Sequence, residues 1–302
     1  MSEEPRLTPV ADNVYAWIQP DGGWCLNNSG VVVGGDGAIV VDTAATVARA
    51  ERLRAQVDAV APGSARTLVN THFHGDHTFG NAVFGPEAAI VAHAGTREEM
   101  AATGLALTGL WPDVEWGSVQ LALPTVTYEE RMTLHLGERR AELIHVGPAH
   151  TRNDTVVWLP EERVLFTGDV VLPGCTPFVL MGTVAGSLRA LDELRALDPR
   201  TVIGGHGPVA GGEAFDATEA YLRWVQDLAA AGVARGLTAL ETARTADLGA
   251  YAALTDPERL VGNLHRARAE LEDGELARPL DVAGIFQEMV EFNGGQLMTC
   301  RA

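Results

Sequence analysis

The stretch Thr71-His72-Phe73-His74-Gly75-Asp76-His77 places three imidazoles and a carboxylate within six positions. Buried polar groups need partners and buried charges need counter-charges, so a core cannot readily absorb four such side chains together. A solvated surface has no use for the crowding either. Neutral imidazole nitrogen and carboxylate oxygen are favoured ligands of zinc and other borderline divalent ions, and a short turn can aim alternate side chains at two neighbouring ions. The preceding Arg66-Thr-Leu-Val-Asn70 is β-branched and apolar, which predicts a buried strand and sets the cluster at its C-terminal end, where α/β proteins commonly carry their sites. The pattern HxHxDH therefore predicts a metal centre.

Three later segments repeat the form, a metal-competent side chain following an apolar strand beside glycine. Leu143-Ile-His-Val-Gly-Pro-Ala-His150 offers His150, Leu165-Phe-Thr-Gly-Asp169 offers Asp169, and Val202-Ile-Gly-Gly-His206 offers His206. Any one of these alone is more often a satisfied polar residue than a ligand. Their conjunction with the first cluster gives seven potential ligands, enough for two metal ions with water completing the shells. The other histidines, His93, His135, His145 and His265, each stand alone in the sequence and read as structural or surface residues.

Around these motifs the chain alternates strand and helix. Val14 to Gln19, Ser29 to Val33 and Ala38 to Asp42 read as strands, the last two joined by the turn Gly34-Gly35-Asp36-Gly37. Helical spacing covers Val47 to Val60, Thr96 to Leu107 and Ser187 to Leu197, and a further helix is predicted after Asp76. Strands are predicted over Thr67 to Asn70, Ala88 to Ala92, Val126 to Val146, Thr155 to Val171 and Thr201 to Ile203. Beyond Gly212 the texture becomes helical almost throughout, over Ala217 to Ala234, Thr238 to Thr245, Pro257 to Leu271 and Val282 to Phe292. This divides the chain into a catalytic part, 1–212, and a helical extension, 213–302, packed on the same domain.

At 302 residues and 46% hydrophobic, the chain can bury a large core. No stretch approaches the roughly 20 apolar residues of a membrane span, and the acidic start Met1-Ser-Glu-Glu-Pro-Arg6 does not resemble a secretory signal. Three widely spaced cysteines, Cys25, Cys175 and Cys300, argue against a disulfide framework, and a cytoplasmic protein is expected. A formal charge of −18 opposes broad contact with nucleic acid. All 22 basic residues are arginine, which suits a localised contact with phosphate or carboxylate better than lysine does.

The ordered set HxHxDH, His150, Asp169, His206 resembles the metallo-β-lactamase superfamily over about residues 10 to 210. The resemblance implies an α/β fold, a four-layer αββα sandwich, here with extra C-terminal helices, and two metal ions, most simply two Zn2+. It implies that His72, His74 and His150 hold the first metal, Asp76, His77 and His206 the second, and that Asp169 bridges them. Asp76 would also orient the attacking water. Asp42 resembles the family's early aspartate and would hold the ligand loop; read from the residues alone, it could equally cap the next helix. The bridging aspartate and the lack of a cysteine ligand set this chain apart from the familiar β-lactamases, and His74 stands where the diiron electron-transfer branch has glutamate. The set is closer to the glyoxalase II type, whose members cleave thioesters.

A narrower resemblance rests on Gly22-Gly-Trp-Cys25, Gly104-Leu-Ala-Leu-Thr-Gly-Leu-Trp-Pro112, Trp158-Leu-Pro-Glu-Glu-Arg-Val-Leu-Phe166, Thr176-Pro-Phe178, Asn293-Gly-Gly-Gln296 and Thr299-Cys300. These look like the cyclase/thioesterases of bacterial aromatic polyketide pathways, of the actinorhodin second-ring type. That implies closing a later ring of a polyketide by aldol condensation and hydrolysing its thioester to release it from acyl carrier protein. The alternatives are a glyoxalase II-like hydrolase of small acyl thioesters and, after it, a β-lactamase or lactonase. Trp24, Trp111, Trp116 and Phe178 are candidates to line a pocket for a flat ligand. Arg131, Arg139, Arg140 and Arg152 are candidates to dock an acidic carrier.

Overall fold

The computed structural model describes residues 4–35, 37–64 and 66–302. The start Met1 to Glu3 and Asp36, within the predicted turn, lie outside the described residues. Among the described residues twelve strands form two sheets. The first runs in order β1 (Leu7–Ala11), β2 (Val14–Trp17), β3 (Ser29–Gly34), β4 (Gly37–Val41), β5 (Arg66–Val69), β6 (Ala89–His93) and β7 (Val126–Tyr128). The second runs β12 (Thr201–Gly204), β11 (Val164–Gly168), β10 (Thr155–Leu159), β9 (Arg139–His145) and β8 (Arg131–Leu136). β4 to β7 pair in parallel, as do β11 and β12, so their C-terminal ends share one edge of the molecule.

Alternation along the strands decides the layers. In β4, Ile39 and Val41 enter the core between the sheets, with Val14, Val69, Leu143, Val157 and Phe166 from neighbouring strands. Val40 turns the other way, onto α1 (Val47–Val60), where Ala50, Leu53 and Val57 present one buried stripe to Trp17, Val31 and Leu68. A strand covered on both faces must be apolar throughout, which is why all five residues of β4 are buried. The outer face of the second sheet, with Ile144, Val156, Leu165 and Val202, packs on α4 (Val184–Ala196). The result is the expected αββα sandwich.

The predicted helical end is present as α5 (Glu213–Ala234), α6 (Ala239–Thr245), α7 (Arg259–Asp273) and α8 (Val282–Phe292). Phe215, Leu240, Leu264 and Phe286 from these helices join the same apolar cluster as α4 and the second sheet. No helix among the described residues is long and apolar enough to cross a membrane.

Three local expectations differ. The helix predicted after Asp76 is a single turn, α2 (Gly75–Thr78), followed by a 3-10 turn at Asn81–Phe84. The helix predicted over Thr96 to Leu107 is α3 (Ala94–Thr103), which stops where Gly104 takes φ +57, and a separate 3-10 turn follows at Ala106–Gly109. β1 carries Pro9 and gives little strand signal; an edge strand tolerates a residue that cannot donate to the ladder.

Candidate metal centre

Each candidate ligand leaves the C-terminal end of a strand or the loop just beyond it: His72 to His77 after β5, His150 after β9, Asp169 after β11, His206 after β12. The fold brings all seven together, in two groups. His72, His74, His150 and Asp169 form one, Asp76, His77 and His206 the other. The inner atoms crowd: His74 Nδ1 is 3.0 Å from both His72 Nε2 and His150 Nε2. Asp169 stands between the groups, 3.5 Å from His150 Nε2, 3.2 Å from His77 Nε2 and 3.5 Å from His206 Nε2. Asp76 Oδ2 lies 3.3 Å from His206 Nε2.

The surrounding chain fixes which ring nitrogen faces inward. His150 Nδ1 donates to the Phe178 carbonyl, and His206 Nδ1 donates to the Gly22 carbonyl at 3.1 Å. The Thr71 hydroxyl donates to Asp42 Oδ2 at 2.7 Å, so it can accept from His72 Nδ1 at 3.0 Å. With Nδ1 carrying the proton, Nε2 of His72, His150 and His206 presents a bare lone pair to the centre. His74 turns the opposite way, with Nδ1 inward and Nε2 3.5 Å from Met181 Sδ.

Electrostatics favour the same state. Burial, then the neighbouring His77 and His74 rings, hold His72 well below the usual histidine range, and burial with His150 lowers His74 to about 3. Burial opposes ionisation of Asp76 and Asp169, but while the surrounding histidines carry protons toward them, before a cation displaces those protons, they outweigh it and bring Asp76 down to about 2 and Asp169 well below its ordinary value. His77 is the exception. Burial works against its charge, yet Asp169, Asp76 and Asp42 together hold its pKa well above the usual value. It is the proton that a bound cation would displace.

These donors fit a pair of divalent ions. His77 Nε2 and Asp169 Oδ1 are buried without hydrogen-bond partners although they are 3.2 Å apart; such orphans are costly unless something else binds them. Backbone shape serves the same end. A Cβ on Gly205 would stand 1.9 Å from Asp169 Oδ1, so only glycine lets the His206 loop lie against that carboxylate. Gly22, at φ +80, brings its carbonyl to His206 where a Cβ would meet Gly207 N at 2.6 Å.

Asp42 does not cap the next helix; Thr46 does. Asp42 instead accepts from Thr71 N at 2.8 Å and from His77 Nδ1 at 2.8 Å, holding the start and the end of the ligand loop at once.

Beside the centre opens a cavity of about 400 Å3 whose lining includes Trp24, Phe79, Phe178, His74 and Asp76. Trp111 and Trp116 are corrections to the sequence reading. Neither lines this cavity: Trp111 packs behind Trp24 at 5.6 Å with its indole N–H on the Met298 carbonyl, and Trp116 packs on Phe79. Sequence reasoning missed Met181, Arg259 and Phe286 as lining residues, and the carbonyls of Gly22 and Phe178 as partners of ligand rings. Two histidines read as isolated are not: His93 and His145 stack with ring centroids 4.1 Å apart, and a third, His265, pairs with Glu288 at 2.9 Å. Arg139 and Arg140 begin β9, roughly 20 Å of extended chain from the end that leads to His150, and are tied to Glu162 and Glu161. Arg152 donates to the Ala277 carbonyl.

Residues 22–206 match the model of the metallo-β-lactamase superfamily. Over 175 residues the chain is 29% identical to 2,4-dinitroanisole O-demethylase subunit alpha of Nocardioides sp., an alignment covering 57% of this chain and 49% of that protein. It is 31% identical over 145 residues to a hydroxyacylglutathione hydrolase of Synechococcus sp., covering 45% of this chain and 48% of the relative. The chain thus spans about half the length of these two relatives. The crystal structure of DIM-1 metallo-β-lactamase exposed to ceftazidime shares the fold with TM-score 0.61 and 20% identity, covering 74% of this chain and 99% of that one. The motif order, the two-sheet sandwich and the family match agree: the chain belongs to the metallo-β-lactamase superfamily.

Proposed function

We propose that the protein is a dinuclear metal-dependent hydrolase of acyl thioesters. The observation that carries this reading is the position of Asp169, within 3.5 Å of ligand nitrogens from both groups, where one carboxylate can serve two ions. In this reading His72, His74 and His150 hold one metal, Asp76, His77 and His206 the other, Asp169 bridges, and both ions are zinc. The likeness to a hydroxyacylglutathione hydrolase supports the thioester assignment.

When bound, the metal pair supplies Lewis acidity, bringing water within reach of deprotonation near neutral pH and stabilising negative charge as it develops on a carbonyl oxygen. The protein's own groups do the rest. Asp76, which lines the cavity and is held anionic, orients the attacking water by accepting a hydrogen bond from it. The outer hydrogen bonds of His72, His77, His150 and His206 keep the rings in one orientation through the reaction. Phe178 and Trp24 supply an apolar wall of the same cavity.

A second and finer reading is the aromatic polyketide cyclase/thioesterase acting on a substrate carried by acyl carrier protein. It is favoured by the aromatic cluster beside the centre, in which Trp24 lies 5.3 Å from Phe178 and 5.9 Å from Phe286. The test is thiol release by zinc-loaded protein from a panel of acyl thioesters, set against hydrolysis of nitrocefin. Thioesters should be cleaved much faster; turnover of nitrocefin above every thioester offered would overturn the reading. Ring closure of a poly-β-ketone thioester would separate the finer reading from simple hydrolysis.

A further inference from the structure

The cavity over the metal centre has two walls. One is the segment after α3, with Leu107 and Leu110; the other is the first turns of α8, with Val282, Ala283 and Phe286. The α8 wall lies outside residues 22–206, the part shared with the superfamily. Along this wall Val282 is half-buried, Ala283 exposed and Phe286 buried. The Phe286 ring stands 6.2 Å from Phe178, whose carbonyl orients the candidate ligand His150.

Charge is nearly absent from this lining. Apart from the candidate metal ligands, the one charged side chain among the described lining residues is Arg259; its two terminal nitrogens are engaged, while its buried Nε has no hydrogen-bond partner. The guanidinium pairs with Asp256 at 2.8 Å, donates to the Thr176 carbonyl at 3.1 Å and lies 4.3 Å over the Trp24 ring. At 2% exposure it has almost no surface left for a ligand. Against the walls formed by Leu107, Leu110, Val282, Ala283 and Phe286 a carboxylate on the acyl group would lose its water with no counter-charge beside it, whereas an apolar group would only gain.

We infer that α8 is the specificity wall of the site: Val282, Ala283 and Phe286 select a bulky apolar acyl group and reject a charged one. This rests on the hydrolase reading above. A cavity of about 400 Å3 accepts a two-ring acyl group with room to turn, and a carboxylate introduced at Val282 would set an uncompensated charge against it. Aspartate suits the first turn of a helix, so the substitution favours rather than breaks α8.

The experiment compares kcat/KM of the zinc-loaded enzyme for N-acetylcysteamine thioesters of 2-naphthoate, acetate and succinate. Wild type should prefer naphthoyl over succinyl by about tenfold or more, and Val282→Asp should lower the naphthoyl-to-acetyl ratio by a similar factor. Ala283→Glu, at an exposed position, should shift the ratio in the same direction and guards against a folding artefact. A succinyl preference in wild type, or a ratio that neither variant lowers, overturns the inference. If no thioester is hydrolysed, the hydrolase reading fails on its own. The wall is then judged by calorimetric binding of the non-hydrolysable 2-naphthylmethyl thioether of N-acetylcysteamine: affinity lost in Val282→Asp upholds it, and affinity equal in both proteins overturns it.

Discussion

Asp42 Oδ2 lies 2.8 Å from His77 Nδ1, and both groups are almost wholly buried. The same carboxylate takes the backbone N–H and the hydroxyl of Thr71, so one side chain ties the two ends of the Thr71–His77 loop to the end of β4. Asp42 can do this because it sits at φ +55, a left-handed conformation that turns the carboxylate back over the sheet edge. The strand delivers the residue; the unusual φ aims it.

Asp42→Asn should therefore weaken metal binding by roughly 10- to 100-fold, the usual loss when an outer partner of a ligand histidine is removed. Asparagine tolerates the left-handed backbone nearly as well as aspartate, so the change tests the charge and the hydrogen bond rather than the turn. Competition with a chromophoric chelator measures it. Affinity within twofold of wild type would mean that Asp42 serves only the loop's shape.

Gly205→Ala is expected to be disproportionately harmful for one methyl group. Its Cβ would stand 1.9 Å from Asp169 Oδ1 and 2.8 Å from the Gly168 carbonyl carbon, and the nearby backbone cannot yield without moving a ligand. Overpacking of this kind costs about 1–3 kcal/mol. Zinc content after dialysis and the thermal midpoint should both fall, and a protein unchanged in both would show that the His206 loop has slack the geometry does not suggest.

The candidate ligands stood out because His150, Asp169 and His206 share one local grammar, an apolar strand, glycine, then a polar residue, because His72 to His77 crowd four such groups after another strand, and because burial of so many donors has few physical outcomes. The layers were legible for a similar reason: strands such as Gly37–Val41 carry their two-sided burial in their composition. What escaped is what side-chain identity does not encode. The groups that orient His206 and His150 are the backbone carbonyls of Gly22 and Phe178, and any residue has a carbonyl. Trp111 and Trp116 read like Trp24 in sequence, yet they lie a layer behind it. The His93–His145 stack joins β6 of one sheet to β9 of the other, a pairing that only the docking of the sheets creates.

Asp76→Ala should lower kcat for thioester hydrolysis by roughly two or more orders of magnitude, the loss typical when a positioning group is removed. Asp169→Ala should instead change stoichiometry, leaving fewer than two metals per chain by elemental analysis. The two variants separate orientation from bridging. An Asp76→Ala enzyme within a few-fold of wild type, or an Asp169→Ala protein that keeps two metals and full activity, would reject the corresponding role.

His93 supplies a pH test outside the metal centre. Burial, and then the stacked His145, lower its pKa in the folded protein, so the unfolded chain takes up this proton first as pH falls. A group depressed on folding contributes stability that is fully present above its unfolded value, about 6.5, and is lost as pH falls toward the folded value. His93 also caps α3, its Nδ1 accepting from Gly95 N at 3.1 Å, a role asparagine can fill. His93→Asn should therefore keep the helix start while removing part of the acid sensitivity. The quantity to compare is the drop in urea midpoint between pH 7.5 and pH 5.5, which should be smaller in the variant than in wild type. An equal or larger drop would mean that the stack tolerates the extra proton, and that contact between the rings, not the exclusion of charge, is what His93 contributes.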